Sequence, residues 1–139
     1  MAKFKFRHSI QVRYSDIDAQ KHVNNTRYST YIESARLAYL QHLKLWDGKS
    51  FLNLGITVAD VHISYRKPIY LGQTVIVATR ISRLGNKSLQ FEYKVQDAES
   101  AEICATAETI NVAYDFHTEQ SIAIPEEWRI VISAYEGFD

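Results

Sequence analysis

One polar stretch concentrates most of the chemistry-bearing side chains: Tyr14-Ser15-Asp16-Ile17-Asp18-Ala19-Gln20-Lys21-His22-Val23-Asn24-Asn25 holds two carboxylates, three amides and an imidazole. Carboxylates and imidazoles move protons and attack electrophiles, and amides hold a water or a carbonyl oxygen in place. Each residue also has a plainer use. Asp16 forms turns, Asn24 and Asn25 cap helices, and His22 packs or faces solvent. Together they make a connector of unusual density, and this stretch is the candidate site.

Other chemistries lack their signatures. Asp16, Asp18 and His22 are possible metal ligands, but no H-E-x-x-H, EF-hand or cysteine-pair spacing accompanies them, so no metal is expected. There is no G-x-S-x-G elbow, and five scattered glycines build neither a phosphate loop nor a dinucleotide fingerprint. Cys104 lies inside a strand pattern and reads as core rather than nucleophile. His8, His42, His62 and His117 are isolated and read as surface or packing residues.

The elements that must position the stretch follow from periodicity. Phe4 to Tyr14 alternates apolar and polar, with His8 the exception on the apolar side, which predicts a half-buried strand leading into the polar loop. Tyr28, Tyr31, Ile32, Ala35, Tyr39 and Leu43 then recur at spacings of three and four, the stripe of a helix of about 20 residues. Asn24 or Asn25 caps it, and its end is expected near Asp47-Gly48. Alternation returns from Ala59 until Pro68 stops it, and strands are predicted again over 74–84, 89–95 and 103–114. Gly85-Asn86 and 97–100 read as hairpin turns. Within the last strand the apolar phase moves from Ile103, Ala105 and Ala107 to Ile110, Val112 and Tyr114, which indicates either a bulge or a strand covered on both faces. Pro125-Glu126-Glu127 opens a short C-terminal helix running to about Glu136.

Length and charge narrow the function. A chain of 139 residues is one domain, here 1–139, with one core. Sixteen basic residues balance sixteen acidic ones, which gives no field to attract a polyanion, so nucleic acid is not an expected partner. The first eleven residues carry charges and no long apolar run, so neither a leader nor a membrane anchor is expected. A single cysteine cannot pair within the chain, which suits a reducing cytoplasm.

The sequence resembles the hotdog-fold thioesterases, in particular the 4-hydroxybenzoyl-CoA thioesterase type and the plant acyl-carrier-protein thioesterases. The matching residues are Asp16-x-Asp18, His22-Val23-Asn24-Asn25, then Tyr28, Tyr31, Glu33, Ala35 and Arg36, with Tyr65-Arg66-x-Pro68, Gly72 and Lys87-Ser88 further on. The resemblance implies an α+β hotdog fold: a five-stranded antiparallel sheet wrapped around one long central helix, with a short helix at the end. It also implies hydrolysis of an acyl-CoA or acyl-carrier-protein thioester to free acid and thiol.

The family's catalytic carboxylate corresponds to Asp18, acting as nucleophile or general base. The plant enzymes' further site residues fall on Gln20 and His22; Gln20 departs from the family's asparagine, and Lys21 stands where many relatives have glycine. The unpaired amides of a helix start are ready donors for a developing oxyanion, and the backbone N–H of Asn25 is the candidate. Arg66, Lys67, Arg83 and Lys87 are candidates for the phosphates of coenzyme A, and a tyrosine hydroxyl such as that of Tyr28 for the acyl pocket. No cofactor is expected, because coenzyme A is part of the substrate. Relatives form dimers and tetramers with sites between subunits, so a homodimer or homotetramer is expected; the other readings the fold allows are a hydratase or dehydratase of acyl thioesters and a non-catalytic acyl-binding protein.

Overall fold

The computed structural model describes residues 3–138; the expected domain bounds include residues 1, 2 and 139, which lie outside that range. In chain order the elements are β1 (Phe6–Gln11), α1 (Asn25–His42), β2 (Ile56–Tyr65), β3 (Thr74–Leu84), β4 (Ser88–Asp97), β5 (Ile103–Asp115), β6 (Gln120–Ser121) and α2 (Glu126–Glu136). The strands form one antiparallel sheet in the order β1-β3-β4-β5-β2, with β6 paired to the end of β5. The sheet curls around α1, which is the α+β hotdog arrangement expected. β6 makes the sheet six-stranded rather than five, since two residues are too short to show a period.

Alternation decides which side chains face the helix. Val75, Val77, Thr79 and Ile81 of β3 and Leu89, Phe91, Tyr93 and Val95 of β4 are buried on the inner face. They meet Tyr28, Tyr31, Ile32, Ala35, Tyr39 and Leu40 of α1 in one core. Burying a side chain such as Ile32 or Leu40 contributes about 1.5–3 kcal/mol, so this seam fixes α1 against the sheet. His8, the exception in the β1 pattern, does face α1: its Nε2 lies 3.3 Å from Ser34 Oγ, and burial lowers its pKa.

Four expectations are corrected. β1 is shorter than 4–14, because Val12 donates its N–H to Gln73 and a 3-10 turn begins at Tyr14. α1 ends at His42 rather than near Gly48. Lys44 takes the left-handed conformation there (φ 60°), with Lys44 N–H on Gln41 and Leu45 N–H on Leu40, the paired bonds that close a helix. β2 starts earlier, at Ile56, because a bulge at Ala59 moves the inward positions from Ile56 and Val58 to Val61 and Ile63, so no single alternation runs through the strand. Finally, β5 keeps one phase throughout. Ala105, Ala107, Thr109, Asn111 and Ala113 are all buried, so two polar residues sit on the inner face, and the register slip against β4 falls at Cys104, before the change of apolar phase.

Candidate active site

The polar stretch folds into a tight hairpin that ends on α1. Asp18 N–H donates to the His22 carbonyl at 3.2 Å and Lys21 N–H to the Asp18 carbonyl at 2.9 Å, with Ile17 bridged to Val23. Lys21 has φ 68°, so it adopts the backbone that glycine would supply, at some steric cost.

The two aspartates have separate jobs. Asp16 is 1% exposed and accepts hydrogen bonds from Arg13 N–H (3.0 Å), Arg13 Nη2 (3.1 Å) and the Tyr31 hydroxyl (2.7 Å). Burial opposes its ionisation, but those donors and the Arg13 charge win, and its pKa is lowered. Its carbonyl also takes the Asn24 N–H, so Asp16 ties the loop to the first turns of α1. Asp18 is half-buried: one carboxylate oxygen accepts Gln20 N–H at 2.9 Å and the other accepts Asn24 Nδ2 at 3.2 Å. Each oxygen keeps acceptor capacity for a water or substrate.

Asn24 is the link that sequence reasoning missed as a site residue. Its Oδ1 caps α1 by accepting Thr26 N–H at 2.9 Å while its amide nitrogen holds Asp18. The signal was present, because an N-cap asparagine uses only its oxygen and leaves a donor to spend. Gln20 contributes to Asp18 through its backbone N–H, and its side chain is exposed. Asn25 opens α1, and among the described residues its N–H donates to no acceptor while its carbonyl accepts the Tyr65 hydroxyl at 3.2 Å.

A cavity of about 220 Å³ lies against this helix start, with His22, Asn25, Tyr28, Tyr65, Arg66 and Lys67 among its lining. His22 enters with its ring edge-on to Tyr70 and its Nδ1 3.4 Å from the Val23 carbonyl. Tyr28 packs edge-on against Tyr65 at 4.9 Å, and burial pushes its hydroxyl pKa up to about 12, so it stays protonated. Asp18 is not in the lining itself. It meets the wall through Asn24, the residue between the lining residues Val23 and Asn25.

The basic candidates divide. Arg66 and Lys67 line the cavity, with Lys67 paired to Glu102 and its pKa raised by that carboxylate. Arg83 and Lys87 lie at the other end of the sheet, since the Thr74 end of β3 adjoins the Asp18 loop and its 11 residues span roughly 35 Å at ~3.3 Å each. Lys87 instead reaches Ser121. One subunit therefore does not assemble all four around Asp18, because sequence proximity to a strand end does not say which end. Cys104 is buried and its thiol pKa is raised by burial, as suits a core residue. No group of three or more His, Cys, Asp or Glu side chains placed to hold a metal ion occurs among the described residues.

Comparison with known proteins identifies the family. The family profile described as the Thioesterase-like superfamily matches residues 12–132. The long-chain acyl-CoA thioesterase FadM of Escherichia coli is 27% identical over 120 residues, covering 86% of this chain and 91% of that protein. The 1,4-dihydroxy-2-naphthoyl-CoA hydrolase of Synechocystis is 22% identical, covering 91% and 94%. Among solved structures, a Thermus thermophilus thioesterase complexed with coenzyme A and Zn superposes with a TM-score of 0.84 at 33% identity, covering 99% of this chain and 98% of that one.

Proposed function

The chain belongs to the Thioesterase-like superfamily, and from that membership we infer that it is an enzyme hydrolysing acyl-CoA thioesters to a free acid and a thiol. The observation that carries the site assignment is the single unit formed by Asp18, Asn24 and the start of α1: the residue that caps the helix also holds the carboxylate.

In this reading the carbonyl oxygen of the substrate docks on the Asn25 N–H, at the positive end of the helix dipole, so charge developing on that oxygen is stabilised. Asp18 either attacks the acyl carbon or takes a proton from a water that does. The tetrahedral intermediate then collapses, the C–S bond breaks and the electron pair leaves on sulfur. Direct attack leaves an anhydride that water hydrolyses, whereas the water route yields the acid at once. His22, in the cavity wall, orients the water or protonates the departing thiolate, and Gln20 fixes one Asp18 oxygen through its backbone N–H. Tyr28 shapes the acyl pocket, and Arg66 and Lys67 meet the phosphates of the carrier, with coenzyme A as substrate and no separate cofactor.

Arg83 and Lys87 reach a carrier bound at Asp18 only from another subunit, and the fold favours such an assembly. β2 is the sheet edge farthest from β1, and its inward-facing Val58, Val61 and Tyr65 are 41%, 48% and 45% exposed. An open edge with apolar side chains invites a second copy, so a homodimer or a homotetramer is proposed. A cytoplasmic location suits the free, buried Cys104, and no helix among the described residues is long and apolar enough to cross a membrane.

Replacing Asp18→Asn removes the charge and leaves one acceptor oxygen where there were two, so only one of the bonds from Gln20 N–H and Asn24 Nδ2 can remain. Thiol release from acyl-CoA should fall by a factor of about 10²–10⁴ or more while coenzyme A binding persists. Wild-type turnover in that variant overturns the assignment.

A further inference from the structure

Away from the Asp18 loop, α1 and β5 share a second buried polar cluster that the proposed reaction does not use. Arg36 is 6% exposed and Asn111 is 0% exposed. They are the two ends of one chain of hydrogen bonds. Arg36 Nη1 donates to the Tyr93 hydroxyl at 3.0 Å, that hydroxyl lies 2.9 Å from Thr109 Oγ1, and Thr109 Oγ1 lies 3.0 Å from the Asn111 amide. Among the described residues no carboxylate forms a salt bridge with Arg36. At the other end, Asn111 Oδ1 is buried without a partner.

The direction of the chain decides whether that orphan is an acceptor or a donor. A guanidinium only donates, so the Tyr93 oxygen accepts from Arg36 and its own proton goes to Thr109. Thr109 then has a proton to give, and the acceptor in reach is the amide oxygen of Asn111. The oxygen and nitrogen of an amide are distinguished only by their partners. With the oxygen turned to Thr109, the Asn111 NH₂ faces the other way, and both ends of the chain present donors.

Both ends line the same cavity of about 290 Å³, bounded by Leu37, Leu54, Ile56 and Val58. Glu33 also lines it, one turn before Arg36 and exposed. The cavity opens to solvent beside Phe51 and Val58, so a ligand can enter it. A buried cation with spare donors, a second donor beside it and an apolar wall together describe the recognition of a carboxylate on an apolar body.

We propose that this cavity is a carboxylate site, with Arg36 and Asn111 on the two oxygens and the apolar chain against Leu37, Leu54, Ile56 and Val58. The carboxylate has two sources. Arg36 follows Asn25 by eleven residues, about 16 Å along the helix at ~1.5 Å per residue. It is thus placed for the far end of a dicarboxylic acyl group whose thioester sits at Asp18. The other source is a free acid. The first source rests on the thioesterase reading; the site itself does not.

The test titrates the wild-type protein with octanoate, using octanamide and octan-1-ol as neutral matches, and follows the side-chain nitrogen resonances of Arg36 and Asn111. Octanoate should shift both and bind at least tenfold tighter than octanamide, and Arg36→Met should erase the difference. Should Arg36→Met fail to fold, Leu54→Trp, which fills the cavity from the half-buried segment before β2, must abolish the octanoate shifts. In the kinetic arm, a tenfold or larger kcat/KM preference for dodecanedioyl-CoA over dodecanoyl-CoA, lost in Arg36→Met, identifies the substrate's far end; octanoate binding without that preference identifies the free acid. Equal affinity for octanoate and octanamide, or shifts confined to residues around His22 and Tyr28, overturns the proposal. A protein that binds octanoate at Arg36 but releases no thiol refutes the thioesterase reading and leaves this one standing.

Discussion

Asp16 and Asp18 are the same residue type two positions apart, and their surroundings set them to different work. Asp16 is surrounded by donors, and Asp18 retains capacity for a reacting group. Since the folded-state pKa of Asp16 lies below its unfolded value, the stability it supplies is present above about pH 4, the unfolded carboxylate value, and is lost as pH falls through the folded one. Thermal melts of Asp16→Asn should therefore show a lower midpoint than wild type at neutral pH and a smaller further loss between pH 5 and 3. Asn24 joins the two functions of the loop. Asn24→Ala should cost about 1 kcal/mol through the lost cap and, in addition, reduce kcat by releasing Asp18. Asn24→Ser, which caps α1 but carries no amide to donate to Asp18, should recover the melting temperature and leave kcat low.

The elements are held in register by a few side chains that periodicity does not reveal. Glu136, in the last turn of α2, accepts the Tyr39 hydroxyl at 2.5 Å and the Ile81 N–H at 3.0 Å, and so connects α2, α1 and β3. The contact sits where β3 slips register against β4, between Ile81 and Arg83, and the carboxylate occupies the Ile81 amide there. Burial, and then the Glu136 carboxylate, drive the Tyr39 pKa strongly upward. Glu136→Ala leaves a buried hydroxyl and a buried amide without their partner, and about 2–5 kcal/mol of unfolding free energy should be lost in urea titrations. The end of α1 shows the same limit on sequence reading. Gly48 was the obvious terminator, yet the helix closes at Lys44, where the bonds to Gln41 and Leu40 outweigh the cost of a left-handed lysine.

At the scale of the whole molecule, the uncovered edge is the feature with most consequence. A charge at Val61, which faces inward on β2 and is 48% exposed, should be tolerated by the fold and opposed by an interface. Val61→Lys is expected to shift the sedimentation coefficient toward the monomer and to lower thiol release with it. A sedimentation profile and activity unchanged from wild type would remove the shared-site assembly proposed from β2.

The strand and helix periods, the loop between β1 and α1 and the family motif were all legible in the residues, because alternation, threefold and fourfold spacing and turn chemistry are local properties. Asp18 and His22 could be named from the family resemblance, whose motif is a contiguous run, and Asn25 from the unpaired donors of a helix start. Which end of β3 adjoins the site could not be read, and Arg83 and Lys87 were grouped with Arg66 and Lys67 on that account. Nor could the pairing of Asn24 with Asp18, the separate duty of Asp16, or the run from Arg36 through Tyr93 and Thr109 to Asn111, which joins a helix to two strands. Such contacts depend on how the sheet curls, and the curl is fixed only when the inner faces of β3, β4 and β5 close on α1.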